Sequence, residues 1–390
     1  DFENNVMITA NFKESSADTR DLKKLYAEFG TTEDFNFTGD FKGTLNDFEL
    51  QNWKLTGMDR TVVNGNLHFT DLVDQQKTFE LSGNFEELST NYYDLVNFLP
   101  NILGNNLPEK LREIGSANLS GFLSATPSKV VTNSTITTQL GNANLNLTLD
   151  DLNDPDFARY KGNVQFNQFN LGRLLGNSSL GKATFNLDVD GIGFTQATLN
   201  TRLEGTIKKL RFNGYTYTNI EVLGVLDNPY FNGKLVSKDP NFQFEFNGLA
   251  DVSRTQNVYD FKASVAYADL NALNFVRRDS IAVMKGDIVM NMEGNNLNDA
   301  RGELSLNNFS YQNHEELFEF EELKVISSFN NEIRKIQINS PDVISGEVEG
   351  IFNINEVPAL FQNAVGSLYT NYKPITIEGN QYLDFNFDIY

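Results

Sequence analysis

Apolar residues recur at every second position over most of this chain, and that period decides what it can fold into. Leu145, Leu147 and Leu149; Phe185, Leu187 and Val189; Leu199, Leu203 and Ile207; Ile288, Met290 and Met292; and Leu383, Phe385, Phe387 and Ile389 are the clearest runs. Successive side chains of a strand point to opposite sides, so each run lines one face. Asn, Gln, Thr, Asp and Lys fill the alternate positions. A strand with one wet and one apolar face belongs to an antiparallel sheet covered on one side only. Asn64-Gly65, Asp190-Gly191, Asn213-Gly214, Asn232-Gly233 and Asn247-Gly248 supply the positive φ that tight hairpins need. The expectation is an all-β, mainly antiparallel meander.

Helical spacing is scarce. Residues 21–29, with Leu22, Leu25, Tyr26 and Phe29 on one stripe, form the clearest candidate, and residues 93–114 are cut into short turns by Pro100, Gly104 and Pro108. Single turns are expected at 171–175 and 357–366.

The chain also repeats itself. Shifted by 99 positions, Phe242, Phe244 and Phe246 fall on Ala143, Leu145 and Leu147, Tyr259 on Tyr160, and Leu270 on Leu171. A strand, then Asp, Asn or Glu before an apolar residue, then a short helix, recurs as YYDLVNFL from Tyr92, QFNLGRLL from Gln168, YADLNALN from Tyr267 and NINEVPALF from Asn353. The acid or amide fits a helix N-cap, and Pro358 suits a helix start. The organisation read from this is a single elongated repeat-type segment over 1–390, a piece of something longer. Its approximate units are 31–115, 116–180, 181–280 and 281–370, with 371–390 starting another.

Composition removes several functions. Lys and Arg number 31 against 52 Asp and Glu, a net charge of −21, while 32 Phe and 40% hydrophobic residues suffice for a folded core. Such a charge repels phosphate backbones and anionic membrane surfaces, so no nucleic-acid partner is expected. With no Cys there is no disulfide. His68 and His314 lie in no HExxH or Ser-His-Asp spacing, so no enzyme, cofactor or catalytic metal is expected. Asp150, Asp151, Asp154 and Asp156 read as a solvated turn, the alternative being a hard-cation site without EF-hand spacing. DVDGIGF from Asp188 reads as a hairpin, not a dinucleotide loop. Alternation puts Trp53, the one Trp, on the face opposite Leu50, packed against a neighbouring loop. No apolar run approaches the roughly 18 residues of a membrane-spanning helix.

The run from Gly181 to Ser253, GKATFNLDVDGIGFTQATLNTRLEGTIKKLRFNGYTYTNIEVLGVLDNPYFNGKLVSKDPNFQFEFNGLADVS, resembles the TamB and AsmA-like periplasmic proteins of Bacteroidota. GDFKGTLNDFEL from Gly39 and YKGNVQFNQFNLGRLLG from Tyr160 do too. The resemblance extends over most of residues 35–280 and rests on spacings of Gly, Asn and apolar residues. It implies a long twisted β-sheet folded into an open hydrophobic groove, a repeating β-groove or β-taco with a few short helices. It further implies a periplasmic parent anchored in the inner membrane that reaches an outer-membrane barrel of the TamA-like, Omp85 type.

Physics leaves two fates for the apolar face: the core of a closed sandwich, or a trough for an apolar ligand. The candidate groove residues are Leu145, Leu147, Leu149, Phe185, Leu187, Val189, Leu203, Ile207, Phe242, Phe244, Phe246, Ile288, Met290, Met292, Leu383, Phe385 and Phe387. The function expected is a nonenzymatic bridge carrying phospholipid acyl chains between inner and outer membrane, supporting outer-membrane biogenesis. The alternatives are a scaffold for outer-membrane protein insertion with the barrel partner, and an extracellular β-rich adhesin. The short helices are either gates along the groove or caps over sheet edges.

Overall fold

Period-2 patterning of this extent yields strands almost without interruption. The computed structural model describes residues 2–24, 27, 29–71, 79–98, 100, 104, 107, 109–195, 197–227, 229–252 and 255–390. Its 21 strands form one open antiparallel sheet, and the chain falls into two compact units, Asp1–Glu221 and Val222–Tyr390.

Unit 1 holds β1 (Ile8–Asp18), β2 (Asp34–Gly43), β3 (Asp47–Gly57), β4 (Thr61–Thr70), β5 (Glu80–Asn91), β6 (Ser116–Ala125), β7 (Val130–Thr138), β8 (Gly141–Asp150), β9 (Arg159–Asn170), β10 (Leu180–Ile192) and β11 (Asn200–Phe212). Each pairs antiparallel with the next. The division between units falls within β12 (Tyr215–Asp227). Unit 2 continues with β13 (Tyr230–Asp239), β14 (Phe242–Asp251), β15 (Val258–Asp269), β16 (Val283–Glu293), β17 (Arg301–Gln312), β18 (Leu317–Asn330), β19 (Ile333–Ser340), β20 (Ile344–Ile351) and β21 (Tyr382–Ile389), again paired in chain order. The helices are α1 (Phe2–Asn5), α2 (Thr19–Leu22), α3 (Tyr92–Phe98), α4 (Leu171–Leu175) and α5 (Val357–Gly366).

Of the five Asn-Gly and Asp-Gly pairs, Asn213-Gly214 alone makes a hairpin turn, with φ of 48° and 81°. The other four lie inside β4, β10, β13 and β14. There the glycine faces inward against a neighbouring strand that comes too close for a side chain: a Cβ at Gly65 would run into the Asn84 carbonyl oxygen. A glycine within a strand marks such close approach as readily as it marks a turn.

Trp53 is not opposite Leu50. Asn52 takes φ 50°, and the β3–β4 register shifts between Leu50 and Trp53. This bulge inserts one residue and returns the indole to the apolar face. Trp53, Leu50, Leu67 and Phe85 form the buried centre of unit 1, with Phe12, Phe37, Phe41, Leu55 and Leu88 against it. Phe37 stacks on Trp53 at 5.1 Å and Phe12 meets it edge-on at 5.9 Å.

Helix expectations divide. Leu171–Leu175 and Val357–Gly366 are helical. Of residues 21–29 the described part holds only the end of α2, whose cap is Asp18 accepting from Arg20 N at 2.7 Å; residues 25, 26 and 28 lie outside the described residues. Between α3 and a 3-10 turn at Glu109–Ile114, most of 99–108 lies outside them too. YADLNALN closes into a turn instead of a helix, because Asn274 adopts φ 65° and Phe275 N bonds back to Leu270 O at 2.9 Å. In YYDLVNFL the capping side chain is Asn91, bound by Tyr93 N and Asp94 N. Asp94 is buried and accepts from Arg60 N at 2.9 Å and the Thr61 hydroxyl at 2.7 Å, pinning the β3–β4 turn.

Candidate functional site

Cross-strand registers assemble the apolar runs into columns on one face of each unit. In unit 1, Ala143 of β8 pairs with Phe166 of β9, and Phe166 with Phe185 of β10, which pairs with Ile207 of β11. The next column is Leu145, Val164, Leu187 and Gly205, and the next is Leu147, Gly162, Val189 and Leu203. Leu149 stands opposite Tyr160. All eight unit 1 candidates therefore share the inner face. The opposite face is amide-rich: Asn163 Nδ2 donates to Asn186 and Asp188, both at 2.8 Å, and Lys161 pairs with Asp190 at 2.7 Å.

In unit 2 the inner face is aromatic at β14. Phe242 stacks on Phe244 at 4.8 Å, and Phe246 packs against Phe261 of β15 at 5.0 Å. Ile288, Met290 and Met292 of β16 stand between Ala263, Phe261 and Tyr259 of β15 and Leu306, Leu304 and Gly302 of β17. Leu383, Phe385 and Phe387 of β21 pair with Gly350, Val348 and Gly346 of β20, and Phe361 of α5 covers Phe385 at 4.5 Å.

These inner faces are apolar yet only half-covered. Of the candidate residues, Leu187 and Phe246 are buried and Phe385 is exposed; the others are intermediate. In a closed sandwich the inner rows interdigitate and are buried, whereas here the strands make a single sheet.

The face has polar members that composition did not flag. Arg334 of β19 points inward and is 3% exposed. Its Nε donates to Ser327 Oγ at 3.1 Å, Nη1 to the Leu297 and Asn298 carbonyls at 2.8 and 3.3 Å, and Nη2 to Ala300 O at 3.1 Å and Ser327 Oγ at 3.0 Å. The guanidinium lies 5.2 Å from the Phe329 ring centroid. Burial holds its pKa below the ordinary arginine value, with Asp299 opposing. Its N–H groups tie the β16–β17 turn and Ser327 of β18 together over the inner face, so it is a clamp. Its parity with Ile336 and Ile338 was the available signal. Tyr160 is also buried, which pushes its phenol pKa up. Thr132 and Ser134 of β7 bond each other at 2.7 Å on the same face.

The remaining candidates are dispersed. His68 lies on the outer face with Asp47 at 2.8 Å, and His314 sits in a turn 3.9 Å from Asp279. Asp150 pairs with Lys129 at 3.0 Å, Asp151 with Arg159 at 3.6 Å, and Asp156 accepts from Thr195 at 2.8 Å. Among the described residues no three His, Asp or Glu side chains gather as a metal set. No described helix is long and apolar enough to cross a membrane. Compared with known protein families, with curated proteins and with solved structures, the chain has no match.

Proposed function

We propose that this chain is a nonenzymatic carrier of phospholipid acyl chains, which lie along the apolar inner faces of its two units. The supporting observation is that rows made of Leu, Phe, Met and Val are left half-exposed on a sheet that, among the described residues, has no second sheet against it. Tail methylenes laid there gain about 0.8 kcal/mol each. A row of nearly equivalent apolar contacts also has no deep trap to stop a chain from sliding. The resemblance to TamB and AsmA-like proteins supports reading the carrier as part of a periplasmic parent working between inner and outer membrane.

Leu145→Asp and Phe244→Asp each put a charge on a half-exposed inner position, one per unit. Native mass spectrometry of protein purified from cells should find phospholipid on the unmodified chain and about tenfold less on either variant, a drop equivalent to about 1.4 kcal/mol. Circular dichroism should stay unchanged. Equal lipid occupancy in folded variants sinks the carrier reading, as does an unmodified chain that neither carries nor takes up lipid. Intact lipid uptake combined with failed barrel-protein insertion would favour the scaffold.

A further inference from the structure

Between β15 and β16, residues 270–282 form a loop that is rigid at its base and amphipathic at its tip. Leu273 and Ala282 are fully buried. Leu270 N donates to Ala282 O at 2.7 Å, and Asn271 Nδ2 donates to Val276 O and Asp279 O at 3.2 and 2.8 Å. Asp269 accepts from Asn271 N and Ala272 N. On this base Phe275 and Ile281 stand exposed at 58% and 43%.

The tip's charges are unequal in what they face. Arg278 bonds the buried carboxylate of Asp279 at 3.1 Å, which holds that carboxyl below the usual aspartate range. Arg277 is exposed and makes no ion pair or side-chain hydrogen bond with a described residue. It is a free cation in the same loop as two exposed apolar side chains, in a chain of net charge −21.

The β17–β18 turn adjoins the loop. Its His314 lies 3.9 Å from Asp279, and Tyr311 donates to Asp279 at 3.5 Å. That turn carries Glu315 and Glu316 and is followed by exposed Leu317 and Phe318. Cation, anions and apolar side chains thus share one rim of unit 2. At that rim the last inner-face pair of β15 and β16 is Ala268 with Met284.

We propose that this rim docks on a zwitterionic phospholipid bilayer, with Arg277 meeting headgroup phosphate, Glu315 and Glu316 the headgroup ammonium, and Phe275 and Ile281 the acyl boundary. Charge complementarity selects the occupant: the two adjoining turns offer both signs, as such a headgroup does, and the acidic chain as a whole repels an anionic surface. Apolar burial supplies attraction that does not depend on net charge. The inference rests on the carrier reading, since it places lipid entry where the inner row of unit 2 reaches its edge.

Flotation of the full chain with vesicles of phosphatidylcholine and phosphatidylethanolamine tests it. Arg277→Glu, and separately the double variant F275S/I281S, should weaken vesicle binding about tenfold, while Lys285→Glu on the outer face of β16 leaves it unchanged. Phe244→Asp should lose bound lipid but still float. An unmodified chain without bound lipid whose flotation still depends on Arg277 would sink the carrier reading and keep the docking rim. Arg277→Glu and F275S/I281S both floating like the unmodified chain would overturn the docking proposal. So would an unmodified chain that does not float, one that floats with anionic vesicles alone, or self-association lost in F275S/I281S while vesicle binding persists.

Discussion

Gly162 stands in the inner column of β9 at φ 142°, and a Cβ there would collide with the Asn146 carbonyl oxygen of β8. The same arrangement recurs at Gly65, Gly121, Gly205 and Gly302, each facing the carbonyl of an Asn on the adjacent strand. These are places where two backbones press together behind an inward glycine. Gly162→Ala should therefore cost about 2 kcal/mol, the scale of a strained backbone position, read as a lowered urea midpoint. Thr137→Ala on the exposed outer face should stay within about 0.5 kcal/mol. Equal midpoints for the two variants would mean that β8 and β9 do not approach so closely.

At the scale of elements, bulges decide which side chains share a face. Asn52, Gln168 and Asn308 take φ of 50°, 54° and 49°, with apolar pairs on both sides brought to one surface, as Phe166 and Phe169 are at 4.2 Å. Deleting Asn52 removes the extra residue in β3 and leaves Leu50, Gln51 and Trp53 in plain alternation, so Trp53 should stay on the apolar face with Leu50. Because Trp53 is the sole Trp and only 8% exposed, its emission should stay blue in the deletion variant, as that of a buried indole. Emission shifted to that of hydrated indole in a folded deletion variant would refute the bulge. Strand faces away from bulges were legible from parity alone: each of the seventeen candidate positions lies on an inner face. Trp53 was misplaced because strict alternation has no room for an inserted residue, which two-residue bookkeeping cannot locate. The Asn-Gly pairs misled for a related reason, since glycine answers to crowding by a neighbouring strand as well as to positive φ in a turn. Arg334 is not legible because a charged residue in a strand reads as solvated, and its carbonyl partners lie 34 to 37 residues away.

For the whole molecule, the carrier proposal separates stability from transport in a way a simple structural role does not. Leu145 and Phe244 sit in different units, so the stability costs of Leu145→Asp and Phe244→Asp should add within about 0.5 kcal/mol in the double variant. Transport should not add. If acyl chains must traverse both inner faces in series, one charged barrier already stops flow, and the second has nothing left to remove. A vesicle-to-vesicle lipid transfer assay should accordingly give the double variant the same residual rate as either single one. Two half-losses that multiply would mean that the units load lipid independently, and the chain would then be a pair of binding modules rather than a conduit.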